Sequence, residues 1–74
     1  MSAVMQQRTP SYDIGFTTGV KYAEQKKGHM LSSVEMPVAA HNYYVQASRS
    51  ITVEQTDFEQ GWRDGYQAFF DGII

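Results

Sequence analysis

A chain of 74 residues has room for one small domain, and because it contains no cysteine, neither a disulfide nor a thiolate zinc site can stabilise it. Six Lys and Arg against eight Asp and Glu give a net charge of −2, which argues against DNA binding through neutralised phosphates. No signal-peptide pattern and no apolar run of the ~20 residues that span a bilayer are present, so we expect a cytoplasmic protein without membrane contact. Residues 1–8 read as a flexible leader before a single helical domain over residues 9–74.

The first predicted element is a helix. Thr9 is a favourable N-cap residue, and Pro10 follows at the first helical position, where its missing N–H costs nothing. Gly28 is placed to end the helix in the left-handed conformation that glycine adopts readily. These signals predict a helix over about Pro10–Lys27.

The middle of the chain is open to two interpretations. Pro37 is expected to keep Met36 out of helical geometry. The first interpretation is a short helix over residues 37–47, followed by an extended segment at 50–54. The second is a small β-hairpin made of the stretches YYVQ and SITVE, and in SITVE the alternation of Ile51 and Val53 is typical of a strand.

The last predicted element is a second long helix with a clear beginning. The stretch TDFE at Thr56–Glu59 fits a capping box, in which the Thr hydroxyl and the Glu carboxylate each bind a backbone N–H. Gly72 is placed to end the helix. We therefore predict a helix over about Asp57–Asp71.

Two similar elements recur in these helices, GFTTG at Gly15–Gly19 and GWRDG at Gly61–Gly65, 46 residues apart. Each lies beside an apolar stripe of helical period. Glycine costs about 1 kcal/mol relative to alanine inside a helix, so four matched glycines indicate a close helix–helix contact, within one chain or between two. We predict a mainly α fold: an antiparallel two-helix hairpin with glycine-mediated packing, joined by the long connector. The predicted packing residues are Gly15, Phe16, Gly19, Phe58, Gly61 and Gly65.

The same elements resemble the ribosome modulation factor family of small proteins. Gly15, Phe16 and Gly19 match the family's first helix, and Gly61–Asp64 match its second, over about 30 of the 74 residues. The resemblance implies a helical hairpin and a ribosome-associated hibernation-type factor. The connector here is about twice as long as the family's, and this chain is acidic where the ribosome-binding members are strongly basic.

The candidate chemistry in the sequence is sparse. His29 and His41 lack neighbours at metal-ligand spacing, and no serine has the paired base of a nucleophile, so we expect no enzyme, metal or cofactor. The surplus of aromatic residues instead indicates a protein interface. We expect a small interaction protein, a homodimer that modulates or inhibits a larger assembly as phage or mobile-element accessory proteins do. The alternatives are the ribosome-associated factor and a structural subunit of an assembly. The predicted partner-binding residues are Trp62, Arg63, Asp64, Tyr66 and Phe70.

Overall fold

A computed structural model describes residues 9–26 and 30–72, which form three α-helices. Helix α1 spans Pro10–Gln25, α2 spans Glu35–Ser48 and α3 spans Gln55–Phe70. No strand occurs within these described residues, so the helical interpretation of the middle segment is confirmed and the β-hairpin is wrong. The predicted leader, the glycine stop after α1 and the first histidine lie outside the described residues. None of the helices in the described ranges is long and apolar enough to cross a membrane.

Helices α1 and α3 run parallel to each other, which corrects the predicted antiparallel hairpin. Their N-terminal ends are joined directly: the Ser11 hydroxyl, in the first turn of α1, accepts the N–H of Glu54, the N-cap residue of α3, at 2.9 Å. Further along, Gly15 lies against Phe58 and Gly19 lies against Trp62, so a step of four residues on α1 matches a step of four on α3 in the same direction. When residue numbers increase in the same direction along both sides of a contact, the two helices must be parallel.

The connector makes this arrangement possible. A parallel pair requires the chain to return from the end of α1 to the start of α3, and α2 provides that return. Its 14 residues span ~21 Å, close to the ~24 Å of the 16-residue α1. A hairpin needs only a short turn, so the length of the connector is explained by the parallel topology.

The turn before α2 is closed by a reciprocal capping box. The Ser32 hydroxyl accepts the Glu35 N–H at 3.2 Å, and the Glu35 carboxylate accepts the Ser32 N–H at 3.0 Å. Met36 is helical, contrary to prediction: it is the second residue of α2, and its N–H donates to the Ser32 carbonyl at 3.0 Å. Pro37 follows it within the first turn of the helix, where proline is tolerated.

The beginning of α3 differs from its prediction. The helix begins at Gln55, and neither the N-cap residue Glu54 nor Thr56 closes it with a side-chain hydrogen bond. The predicted capping box at Thr56–Glu59 is therefore wrong. Its first turn is fixed instead by α1, because the Thr9 hydroxyl donates to the Asp57 carboxylate at 3.0 Å. At the other end, Gly72 has φ +78°, as its predicted role as a helix stop requires.

Replacing Thr9 with alanine is expected to lower the free energy of unfolding by about 1–2 kcal/mol. The Thr9 oxygen accepts the Tyr12 N–H at 3.1 Å, as predicted for an N-cap, and also reaches Asp57, so one change removes two hydrogen bonds. Urea denaturation measures the loss. The Thr56→Ala variant is the matched control and should change stability by less than about 0.5 kcal/mol. Equal losses in the two variants would contradict the observed cap.

The core is centred on α3. Its three largest fully buried side chains, Phe58, Trp62 and Tyr66, all come from this helix, which packs against α1 on one side and α2 on the other. Smaller residues complete the buried cluster: Ala23, Ala40 and Val53. Helices α1 and α2 make few contacts with each other.

Candidate functional site

The contact between α1 and α3 is made by backbone at all four glycines of the repeated elements. A β-carbon at Gly15 would lie 2.1 Å from the Phe58 carbonyl oxygen, and one at Gly61 would lie 2.1 Å from the Tyr12 carbonyl oxygen. At Gly19 and Gly65 the corresponding distances, to the carbonyl oxygens of the residues at positions 62 and 16, are 2.1 and 2.2 Å. No side chain fits at these positions. An α-hydrogen that points at a carbonyl oxygen in this way forms a weak Cα–H···O hydrogen bond.

These contacts are related by an internal pseudo-two-fold axis that runs between the parallel helices. Adding 46 to a residue number converts Gly15 into Gly61 and Tyr12 into Phe58. The contact of Gly15 with Phe58 is thus the same as that of Gly61 with Tyr12, with the helices exchanged. The repeated sequence elements therefore form a symmetric interface between two halves of one chain.

The pseudo-symmetry ends at the face of α3 that α2 covers. There, Trp62 stacks with two rings, Tyr66 at 5.5 Å and Tyr43 of α2 at 5.8 Å between ring centroids. Tyr22 of α1 lies 5.3 Å from the Trp62 ring. Trp62 and Tyr66 are fully buried. Both were predicted to bind a partner, but the structure places them in the core, because a third helix covers the face that a two-helix hairpin would leave open.

Two neighbouring predicted partner residues, Arg63 and Asp64, are half-buried. The Asp64 carboxylate accepts the Tyr12 hydroxyl and the Gln60 side-chain amide, the latter at 3.0 Å, so it connects α3 to α1. Asp64 thus stabilises the helix pair rather than extending towards solvent. Within the described ranges, neither the buried Nε of Arg63 nor the indole N–H of Trp62 has a hydrogen-bond partner.

A polar cluster joins α2 to α3 near their solvent-exposed edge. The Nδ1 atom of His41 lies 2.9 Å from the Glu59 carboxylate, and the Gln55 amide donates to the same carboxylate at 3.1 Å. Only one histidine and one carboxylate meet here. The described residues contain no group of three or more His, Cys, Asp or Glu placed to hold a metal ion. This cluster is an inter-helix contact.

The aromatic stack opens to solvent at the last turn of α3. Phe70 lies 4.9 Å from Tyr66 between ring centroids, and Phe69 contacts Phe70 edge to face at 5.5 Å. The segment before α2 reaches the same place, because the Leu31 N–H donates to the Tyr66 hydroxyl at 2.7 Å. Leu31, Phe69 and Phe70 are only partly buried, and Met30 is 54% exposed. We call these residues the end patch: Met30, Leu31, Phe69 and Phe70.

Of the predicted partner-binding residues, only Phe70 belongs to the end patch. The other members were not identified from the sequence, because Met30 and Leu31 lie in the connector, far from the glycine elements. The pair of adjacent phenylalanines was the available signal: on a helix, two neighbouring residues cannot both point into one narrow apolar stripe.

Together, the fold and these contacts define a small three-helix protein with a parallel, glycine-packed helix pair and an apolar patch at one end. No family model, curated protein or solved structure matches the chain. The resemblance to the ribosome modulation factor family therefore stays a prediction.

Proposed function

We propose that this chain is a small non-enzymatic interaction protein of the cytoplasm. It binds a larger protein assembly and modulates or inhibits it, as phage or mobile-element accessory proteins do. The end patch is the surface through which it binds.

The observation that supports this proposal is the exposure of the end patch. Aromatic residues and methionine are enriched at protein interfaces, and the end patch combines two phenylalanines with an exposed methionine. Its rings are held from behind by the buried stack that begins with Tyr66. A rigid support of this kind lowers the entropy that an aromatic side chain loses on binding.

The position of the patch changes which residues are expected to carry the binding energy. Trp62 and Tyr66 act as its support, and Phe70 is its contact residue. Arg63, at the half-buried edge of α3, and Asp64, bonded to α1, lie outside it.

Replacing Met30 with glutamate is expected to abolish capture of the partner, because a charge would be placed at an apolar contact. Met30 is mostly exposed, so folding should be unaffected, as far-UV circular dichroism checks. The measurement is a tagged pull-down from nuclease-treated lysate of the source cells, followed by mass spectrometry and binding assays with the purified candidate. Thr52→Glu, an exposed change of equal charge outside the patch, is the matched control.

The outcomes separate the candidate functions. Protein captured by the wild type and the control but lost with Met30→Glu supports the proposal. Recovery of ribosomal components alone supports the hibernation-type factor instead. Capture that is indifferent to Met30→Glu would show that the end patch is not the binding surface.

A further inference from the structure

Helix α2 has a second apolar stripe on the face that points away from the core. Its inner face packs into the core through one set of residues: Met36, Ala39, Ala40, Tyr43, Tyr44 and Ala47. On the opposite side, Val34 precedes the helix, and Val38 and Val45 follow at helical spacing. Val34 is 77% exposed, Val38 is 59% exposed and Val45 is half-buried, and none of the three belongs to the buried cluster or to the residues packed against it. We call Val34, Val38, His41, Asn42 and Val45 the outer face of α2.

The charges beside this face are arranged asymmetrically. Between Glu35 and Arg49 the chain carries no Asp, Glu, Lys or Arg, so α2 itself contributes no charge to the middle of the outer face. The carboxylate of Glu59 on α3 reaches the edge of this face, where it lies 2.9 Å from His41. Glu35 lies in the first turn of α2, and Arg49 is its C-cap residue. Arg49 forms no ion pair with any residue of the described ranges. The face is therefore an apolar strip with a negative charge at one end and a positive charge at the other.

We propose that a second copy of this chain covers the outer face of α2, with the two α2 helices antiparallel about a two-fold axis between His41 and Asn42. Such an axis places Val38 of each copy opposite Val45 of the other. It also brings Glu35 of each copy near Arg49 of the other, so the contact contains two identical ion pairs. A closed two-fold contact uses the same surface on both partners, which is the commonest form of self-association.

The antiparallel direction follows from the same charges. A parallel arrangement would place Glu35 beside Glu35 and Arg49 beside Arg49, and both contacts would be repulsive. In the antiparallel arrangement the N-terminus of each helix also lies beside the C-terminus of the other. The positive end of each helix dipole is then next to the negative end of its neighbour, which is favourable. The strip is only as long as α2, ~21 Å. We therefore expect a small interface and a weak, transient dimer.

This inference concerns a different surface from the end patch, and its test needs no partner protein. Sedimentation of the purified full-length chain over about 1–500 µM is expected to show a monomer–dimer equilibrium. Val38→Glu should raise the Kd at least about tenfold, because it buries a charge against Val45 of the other copy. Thr52→Glu, the exposed control of equal charge, should leave the Kd unchanged. A wild-type chain that stays monomeric, or equal effects of the two substitutions, would overturn the proposal.

The two charges provide a second test. Arg49→Glu should weaken the dimer, because it replaces two attractions with two repulsions. Glu35→Arg should weaken it as well, but it also removes the acceptor of the Ser32 N–H, so Glu35→Gln, which keeps an acceptor oxygen and removes only the charge, is measured beside it. The variant that carries Glu35→Arg and Arg49→Glu should bind more tightly than either single variant, since opposite charges again face each other. A double variant as weak as the single ones would overturn the antiparallel arrangement.

Cross-linking measures the direction independently, because the chain has no natural cysteine. Asn42→Cys lies beside the proposed axis and should form a disulfide between copies on mild oxidation. Val34→Cys lies at the far end of the strip from its counterpart and should not. Efficient cross-linking through Val34→Cys would contradict the proposed axis.

Discussion

Replacing Gly15 or Gly61 with alanine is expected to destabilise the protein by about 2–3 kcal/mol, although alanine is the better helix former by about 1 kcal/mol. The new β-carbon would lie 2.1 Å from a carbonyl oxygen of the facing helix. Backbone cannot rotate away as a side chain can, so α1 and α3 must separate. For a domain of this size, the melting temperature should fall by about 8–24 °C. Urea denaturation, followed by the fluorescence of the single tryptophan, measures the loss.

The pseudo-two-fold axis makes the double variant informative. Gly15 and Gly61 contact neighbouring turns of the same interface, so the separation that one alanine forces also makes room for the other. The combined loss should therefore be smaller than the sum of the single losses. Gly72→Ala is a useful contrast, because a β-carbon there meets nothing within 4 Å and only the positive φ is unfavourable. Single variants more stable than the wild type would contradict the close contact.

The glycine elements show what the sequence could and could not predict. Their spacing identified the two helices and the face on which each contains glycine, because those features depend on helical period alone. A Gly-x-x-x-Gly pattern reads the same in both directions, so it contains no information on whether its helices are parallel. That direction is set by the connector, whose helix was predicted but whose role as a return path was not.

The two capping sequences show a second limit. Ser32–Glu35 and Thr56–Glu59 both fit a capping box, and only the first forms one. At the start of α3, contacts with α1 replace local capping: Ser11 accepts the Glu54 N–H, and Asp57 is bound by the Thr9 hydroxyl. Local patterns predict helix ends well where no other element competes for the same groups.

The prediction of the partner-binding residues from the sequence was limited for a related reason. Helical period placed Trp62 and Tyr66 on an apolar stripe, but the stripe does not reveal whether another part of the chain covers it. Because the connector helix was expected to be short, its aromatic inner face, with Tyr43 and Tyr44, was not assigned to this position. The surfaces left exposed are instead the end patch and the outer face of α2.

Replacing Trp62 with alanine is expected to have the largest effect of any single side-chain truncation, a loss of about 3–5 kcal/mol. Trp62 is fully buried and contacts α1 through Tyr22, α2 through Tyr43 and its own helix through Tyr66, so its removal loosens all three helices at once. A domain this small has little stability to lose, so the variant should be largely unfolded at 37 °C. Far-UV circular dichroism with heating measures this, since the variant has no tryptophan.

The pseudo-symmetric partner of Trp62 supplies the matched control. Phe16 occupies the equivalent position on α1, but it is only partly buried, and the chain contains one α2 for the two equivalent faces. Phe16→Ala should therefore cost about 1–2 kcal/mol, well below the loss at position 62. If the two losses were equal, the α1–α3 interface alone would account for both, and covering by α2 would add little. A larger loss at position 62 would instead show that α2, which covers only the α3 side of the helix pair, adds stability there that the matching position 16 on α1 lacks.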